Sequence, residues 1–312
     1  MKLFLVILGV LVVLAAAFSL ALSHILFHSL FGKPSRSTKI PKYYVDTPHY
    51  KVSRAGMALL KTLPSEDHYI QSRDGLKLHA YLFPVNSEQH PKKFLLGIHG
   101  YRSYSRPEYA PYAEFYRAQG FTLFLPDDRA HAPSEGTYIG FGVLDRLDCV
   151  DWANYLVKTY GEDIEILIHG VSMGGAAVVA ASGEAELPPQ VRGIISDCAF
   201  SSAQEIVEYH LRESIHLSVR HLLPALERLC QKKAGFNFHE HTPLQQVKKA
   251  TVPMLFVQGE KDTMVPPFMV QELYDACPTE KKLLLVAEAG HGESIAFAPD
   301  AYYQNIKTLF HI

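Results

Sequence analysis

The chain has 312 residues, of which 48% are hydrophobic, and it carries a formal net charge of -2. This length and apolar content suffice for one large buried core, and single α/β domains commonly reach this size. The near-neutral charge provides no general basic field, so we expect no nucleic-acid partner.

The N-terminus predicts a helix that crosses a membrane. Residues 3–32 contain no Lys, Arg, Asp or Glu, and residues 3–22 are almost wholly aliphatic. About 20 apolar residues cross a bilayer as a helix, and the apolar core of a secretory signal is shorter. We therefore expect residues 1–32 to be an uncleaved single-pass anchor. Removal near Ala21-Leu22-Ser23 is the alternative.

A linker and the catalytic domain follow the anchor. Residues 33–65 predict a polar linker with a short helix from Val52 to Lys61. Residues 69–72 and 76–82 flank Arg73-Asp74-Gly75 and predict a β-hairpin. From Phe94 onward, strand-like runs alternate with helical segments, which predicts a mostly parallel sheet with helices on both faces.

A serine motif lies in the middle of this alternation. Gly170-Val171-Ser172-Met173-Gly174 separates the apolar run 164–168 from the small-residue run 175–181. The pattern predicts a strand, a sharp turn and a helix, with Ser172 at the apex, where glycines permit close backbone contacts. It is typical of a nucleophile elbow, although a capping serine in a glycine-rich turn gives the same string.

Two partners for Ser172 follow in chain order. Asp262 lies in a glycine-containing turn after the strand-like run 252–257, and His291 lies between two glycines after the run 282–287. Serine, then aspartate, then histidine is the order of α/β-hydrolases. Asp197, at the end of the strand-like run 191–196, is the alternative acid.

These motifs resemble the α/β-hydrolase superfamily of serine hydrolases over residues 66–312, and most resemble its bacterial membrane-anchored members. In those proteins the loop after the fourth strand reads Asp-x-Arg-Gly-His-Gly-x-Ser-x-Gly, whereas this chain has Ala130 and Ala132 at the inner glycines. The resemblance implies an eight-stranded α/β-hydrolase fold. It also implies a domain facing outward, whereas the four basic residues between 33 and 42 favour a cytoplasmic domain. The side of the membrane therefore stays open.

An insertion at about 200–249, with helical stretches at 203–216 and 219–232, predicts a cap over the site. The alternative is that these helices only complete the layers of the fold.

The expected chemistry is hydrolysis of carboxylic esters through an acyl-enzyme. Ser172 is the expected nucleophile, His291 the base and Asp262 the orienting acid. The N–H of Met173 is one expected oxyanion donor, and the resemblance implies the N–H of Tyr101 as the second. Thioesterase, acyltransferase or serine peptidase activity on the same residues, and a noncatalytic binding protein of the same fold, are the alternatives.

We expect no cofactor and no metal. His239-Glu240-His241 lacks the spacing of two ligands on one helical turn, and the four cysteines form no zinc pattern and are expected to be reduced. The expected partners are a small-molecule acyl substrate and, through the N-terminal helix, the membrane. The oligomeric state is left open.

Overall fold

One mixed sheet organises the chain. The computed structural model describes residues 2–34, 47–85, 90–131, 133–215 and 222–312. In these residues eight strands lie in the order β1-β2-β4-β3-β5-β6-β7-β8. β1 pairs antiparallel with β2, β2 pairs antiparallel with β4, and the other neighbours are parallel. The predicted hairpin and mostly parallel sheet are confirmed. The strands are β1 (Glu66–Gln71), β2 (Lys77–Phe83), β3 (Lys93–Ile98), β4 (Thr122–Asp127), β5 (Glu165–Val171), β6 (Val191–Asp197), β7 (Met254–Gly259) and β8 (Lys281–Val286).

Helices precede the sheet and connect its strands. They are α1 (Lys2–Phe31), α2 (Pro48–Leu60), α3 (Ser105–Tyr109), α4 (Ala113–Ala118), α5 (Asp145–Tyr160), α6 (Met173–Ala181), α7 (Ala203–Ile215), α8 (Leu223–Leu229), α9 (Pro243–Gln246), α10 (Pro267–Ala276), α11 (Ser294–Phe297) and α12 (Pro299–Phe310). α2 begins earlier than the predicted Val52 because Thr47 accepts a hydrogen bond from the Tyr50 N–H and Pro48 occupies the first turn.

Two hydrophobic cores cover the two faces of the sheet. One includes residues of α5, α6, α8 and α10, and the other includes residues of α2, α4 and α12. Every residue of β4 and β7 is buried, as expected for strands between two helical layers. α6 approaches the sheet closely, because a Cβ on Gly174 would lie 2.0 Å from the carbonyl oxygen of Ile98.

α1 is divided between an exposed part and a packed part. Leu3–Phe31 is long and apolar enough to cross a membrane by length and composition, and its N-terminal side chains are exposed. Ser23, Phe27 and Phe31 form a stripe spaced four residues apart and are fully buried. The Ile139 N–H binds the Phe31 carbonyl oxygen at 2.7 Å. The last turns of α1 therefore belong to the main core, directly before the predicted domain boundary at residue 32.

Two predicted segments are partly outside the described residues. These are residues 35–46 of the predicted linker and residues 216–221 of the predicted cap. In the rest of the insertion, α7 corresponds to the first predicted helix, residues 203–216. α8 lies within the second predicted helix and continues as one π-helical turn over Cys230–Ala234.

Candidate active site

Ser172 stands on a strained turn between β5 and α6. Its backbone angles are φ +57° and ψ -117°, a region that residues with a side chain rarely occupy. The Ser172 N–H binds the Asp197 carbonyl oxygen at 2.8 Å, which fixes the turn to the end of β6. A Cβ on Gly170 would lie 2.2 Å from the Gly174 carbonyl oxygen, so the turn requires glycine there. The sharp turn between a strand and a helix places the serine at the carboxyl edge of the sheet.

A chain of hydrogen bonds joins the three residues predicted to act together. His291 Nε2 lies 2.8 Å from Ser172 Oγ, and His291 Nδ1 lies 2.8 Å from Asp262 Oδ2. The structure thus brings Ser172, His291 and Asp262 together from three separate loops. A base next to a hydroxyl and an acid behind the base is the arrangement needed to activate a serine.

The carboxylate of Asp262 is held by three further donors. Its Oδ1 accepts hydrogen bonds from the Met264 and Val265 N–H groups, both at 2.8 Å. Its Oδ2 accepts a third from Gln258 Nε2 at 3.0 Å. One oxygen of Asp262 is thereby directed at His291.

The environment of His291 favours its protonated form. Burial lowers the pKa of His291, but the hydrogen bond to Asp262 and the charges of Asp262, Asp197 and Glu108 outweigh burial, so the pKa lies above 6.5. A base with a raised pKa accepts a proton more readily.

Asp197, the alternative acid, bonds to tyrosine hydroxyls and not to His291. It is fully buried, and its Oδ2 accepts hydrogen bonds from the Tyr302 hydroxyl at 2.9 Å and the Tyr112 hydroxyl at 3.4 Å. The Tyr302 oxygen also lies 3.0 Å from Nε2 of the buried His169. Burial raises the pKa of Asp197 to about 7. The geometry therefore favours Asp262 as the partner of His291.

The two expected oxyanion donors belong to segments that lie next to Ser172. Met173 begins α6, and Tyr101 follows Gly100, where a Cβ would lie 3.3 Å from the Ser172 Cβ. Among the residues that the structure describes, neither the Met173 nor the Tyr101 N–H donates a backbone hydrogen bond. Both donors remain available to a ligand oxygen next to Ser172.

Two buried histidines that sequence reasoning missed hold the loop of Tyr101. Nε2 of His99 accepts the Asp128 N–H at 3.0 Å, and Nε2 of His131 accepts the Arg102 N–H at 3.1 Å. Burial lowers the pKa of both rings, that of His99 to about 3, so both are neutral acceptors at neutral pH. Both histidines lie in recognisable loop motifs, but their N–H donors can be identified only from the folded structure.

The loop after β4 contains the two alanines that replace the glycines of the related motif. Ala130 adopts φ +64°, a left-handed conformation that costs an L-residue about 1 to 2 kcal/mol. Its N–H binds the Glu135 carbonyl oxygen at 2.8 Å, which closes the loop around His131. Ala132 lies outside the described residues. The alanine at position 130 is thus accommodated with backbone strain.

Two pockets meet at Ser172 and His291. One has a volume of about 190 Å³ and a mainly apolar lining that includes Leu30, Phe141, Phe200, Ile206, Val207 and Val265. The other has a volume of about 180 Å³ and a more polar lining that includes Ser103, Glu108 and Glu293. The serine therefore lies between an apolar and a polar compartment.

The insertion after β6 supplies part of the apolar pocket. Phe200 lies in the loop between β6 and α7, and Ile206, Val207 and His210 project from α7. Burial lowers the pKa of His210, and the charge of His291 lowers it further. α7 thus covers the pocket with two aliphatic side chains and one histidine.

A thiol that the sequence did not connect with the site lies beside His291. Cys198 Sγ is 4.0 Å from His291 Nε2, and Cys198, Asp262 and His291 are the one potential metal-binding group found within the described parts of the chain. Burial raises the pKa of Cys198 well above its ordinary value. The thiol is therefore neutral, whereas a thiolate is the form that binds metals and attacks carbonyls.

His239 and His241 lie near different carboxylates. His239 Nε2 lies 3.2 Å from Glu227, and His241 Nδ1 lies 3.8 Å from Glu184. All four cysteines are free and buried.

Comparison with known proteins places this geometry in context. A model of the family described as serine hydrolase (FSH1) matches residues 166–292. The Bacillus subtilis protein YqkD is 24% identical over 196 residues, which are 63% of this chain and 64% of YqkD. The Saccharomyces cerevisiae membrane protein YNL320W is 27% identical over 198 residues, 62% of each chain. The matched region thus spans less than two thirds of these relatives.

Solved structures agree over more of the chain. The Pyrococcus furiosus esterase Pf2001 has a TM-score of 0.63 at 20% identity and covers 89% of this chain and 98% of its own. The chain has the α/β-hydrolase fold. A Pyrococcus horikoshii acylaminoacyl peptidase shares it, with a TM-score of 0.56 at 15% identity over 81% of this chain and 42% of its own. The predicted resemblance to α/β-hydrolase serine hydrolases is confirmed, and the comparisons support a serine hydrolase.

Proposed function

We propose that this α/β-hydrolase cleaves carboxylic esters through an acyl-enzyme on Ser172. The observation that carries the proposal is the continuous hydrogen-bonded chain from Ser172 through His291 to Asp262, with 2.8 Å at each step. A noncatalytic binding protein has no use for a serine on a strained turn that is also bonded to a base. These linked hydrogen bonds support nucleophilic catalysis rather than binding alone.

In the first step, Ser172 Oγ attacks the acyl carbon while its proton moves to His291 Nε2. Asp262 keeps the imidazole in the tautomer with its proton on Nδ1 and stabilises the imidazolium. The N–H groups of Met173 and Tyr101 stabilise the negative charge that develops on the carbonyl oxygen. Collapse of the tetrahedral intermediate breaks the ester bond, and the departing alkoxide takes the proton from His291.

In the second step, water hydrolyses the acyl-enzyme. His291 removes a proton from the water, the hydroxide attacks the acyl carbon, and the proton then returns to Ser172 Oγ as the acid departs. The apolar pocket suits the acyl group, and the polar pocket with Glu108 and Glu293 suits the alcohol.

Ser172→Ala and His291→Ala test the proposal. Each should reduce hydrolysis of a butyryl ester by about a thousandfold or more, because these residues act as a unit. Fluorophosphonate labelling should be lost in Ser172→Ala, while the melting temperature stays close to that of the wild type. A panel of ester, thioester and aminoacyl substrates then distinguishes the alternative activities. Full turnover in Ser172→Ala would remove the serine mechanism.

We also propose that α1 is a single-pass membrane anchor. The support comes from its length and apolar composition and from the similarity to a yeast protein described as a membrane protein. Full-length protein should remain with membranes during alkaline carbonate extraction. A mature N-terminus at His24 in the soluble fraction would show instead that the segment is a cleaved signal.

A further inference from the structure

α1 is longer than a bilayer requires. At 1.5 Å per residue its 30 residues extend about 45 Å, whereas about 20 residues cross the hydrocarbon layer. If residues 3–22 fill that layer, eight residues separate its edge from Leu30, a distance of about 12 Å along the axis. The headgroups extend about 5 to 7.5 Å from that edge, so Leu30 then lies about 5 Å beyond them.

The part of α1 beyond the apolar span is fixed to the catalytic domain. The Phe31 ring contacts the rings of Phe141, Phe236 and Phe238, with centroids 5.2 to 5.8 Å apart. Phe27 packs on Tyr138 at 4.9 Å. Side chains with these contacts hold the end of the helix in one position relative to the sheet.

The last turn of α1 contributes directly to the site. Leu30 lines the apolar pocket together with Phe141 and Val207. The Tyr101 hydroxyl donates to the Leu30 carbonyl oxygen at 2.7 Å, and Arg102 Nη2 donates to the Ser29 carbonyl oxygen at 2.5 Å. The last carbonyls of a helix have no partner within the helix, and the loop of the expected oxyanion donor supplies partners here.

We propose that the substrate is a long-chain acyl ester of a lipid in the membrane that holds α1, and that Leu30 selects for its acyl chain. This proposal rests on the proposed ester hydrolysis and on the proposed anchor. A pocket walled by the end of a membrane helix lies next to the lipid surface. Its lining suits a hydrocarbon chain, and Met264, which is 51% exposed, adds apolar surface to it.

Substitutions at Leu30 in the full-length protein test the selection of the acyl chain. Ile25 provides the control, because it lies on the same helix but is 65% exposed. The measurement is the ratio of kcat/KM for a dodecanoyl ester to that for a butyryl ester, in detergent micelles. This ratio does not depend on the fraction of protein that is folded, so a loss of folded protein does not affect the result.

Leu30→Trp should lower this ratio by about tenfold, the effect of excluding roughly two methylene groups from an apolar site. Leu30→Ala should lower it less, through lost contact with the chain, and Ile25→Trp should leave it within about twofold of the wild type. An unchanged ratio in Leu30→Trp, or an equal decrease in Ile25→Trp, would overturn the role of Leu30.

A second experiment tests the membrane source of the substrate. Wild-type protein is reconstituted into phosphatidylcholine vesicles, and dioleoylglycerol is placed either in the same vesicles or in a separate population. Release of oleate should be at least about tenfold faster in shared vesicles, because a common bilayer raises the effective concentration. Equal rates, or no release in either arrangement, would overturn the proposal.

Failure of this inference can be told apart from failure of ester hydrolysis. Hydrolysis of the butyryl ester that depends on Ser172, without release of oleate, rejects the lipid substrate and leaves the serine mechanism in place. Butyryl hydrolysis that persists in Ser172→Ala rejects the proposed function itself.

Discussion

Replacing Asp262 by asparagine tests the orientation of His291. Two backbone N–H groups, those of Met264 and Val265, bind Oδ1 of Asp262 at 2.8 Å. An asparagine oxygen can keep both bonds, which turns the amide NH2 toward His291 Nδ1 and Gln258 Nε2. The amide NH2 of Gln258 then faces another NH2 group and loses its acceptor. His291 can accept a hydrogen bond from the asparagine NH2 only if its proton moves from Nδ1 to Nε2.

That tautomer cannot accept the proton of Ser172. We therefore expect Asp262→Asn to lower kcat by about ten-thousandfold, which corresponds to about 5 kcal/mol of activation free energy. Asp197→Asn is the control. The Asp197 carboxylate accepts hydrogen bonds from two tyrosine hydroxyls, and an asparagine oxygen can accept the same hydrogen bonds. Its effect should stay below about tenfold.

The assay is steady-state hydrolysis of a butyryl ester by full-length protein, with thermal unfolding of each variant measured in the same detergent. Similar melting temperatures combined with a large loss of kcat in Asp262→Asn would support the reasoning. A larger loss in Asp197→Asn than in Asp262→Asn would refute it and transfer the role of the acid to Asp197.

Three further outcomes follow from burial and charge. Because His291 must be neutral to act as a base and its pKa lies above 6.5, kcat/KM should rise with pH around a midpoint above 6.5, and a lower midpoint in the pH profile would contradict this. In denaturant titrations, Phe31→Ala should lower the free energy of unfolding by about 3 to 5 kcal/mol. Leu20 is 58% exposed, so Leu20→Ala should lower it by less than about 0.5 kcal/mol. Equal effects would show that the end of α1 is not packed. Because the folded pKa of Asp197 is about 7 and the ordinary value is 3.8, wild-type stability should fall as pH rises from about 4 to 7, and Asp197→Asn should lose that part of the slope; the same slope in both proteins would disprove the raised pKa.

Local pattern was sufficient to predict the fold and to select the residues that meet at the site. Ser172, Asp262 and His291 each follow a predicted strand, and parallel strands bring their carboxyl ends to one edge of a sheet. Their convergence therefore follows from the alternation of strands and helices. The choice of acid does not follow from this alternation, because Asp197 also ends a strand. Its carboxylate instead accepts hydrogen bonds from the hydroxyls of Tyr112 and Tyr302.

Contacts between distant segments could not be predicted in this way. His131 and Arg102 are joined through one ring nitrogen, and Cys198 lies beside His291 although 93 residues separate them. No periodicity in the chain specifies such pairs, since each depends on how two loops at the edge of the sheet are oriented. The loop motifs contain His131 and Arg102 without indicating which atoms they contact, and nothing in the sequence connects Cys198 with the site.

The helix at the N-terminus shows why composition has limited power at this site. Leucine and phenylalanine satisfy a lipid environment and a protein core equally well, so the apolar run from residue 3 to residue 31 gives no sign of where one ends and the other begins. The buried spacing of Ser23, Phe27 and Phe31 is visible only once the helix lies against the domain. Beyond residue 22 the same hydrophobic pattern therefore has a different physical cause. Its side chains pack among aromatic rings and against the pocket next to Ser172, so its loss would affect the folded domain as well as the proposed attachment to a membrane.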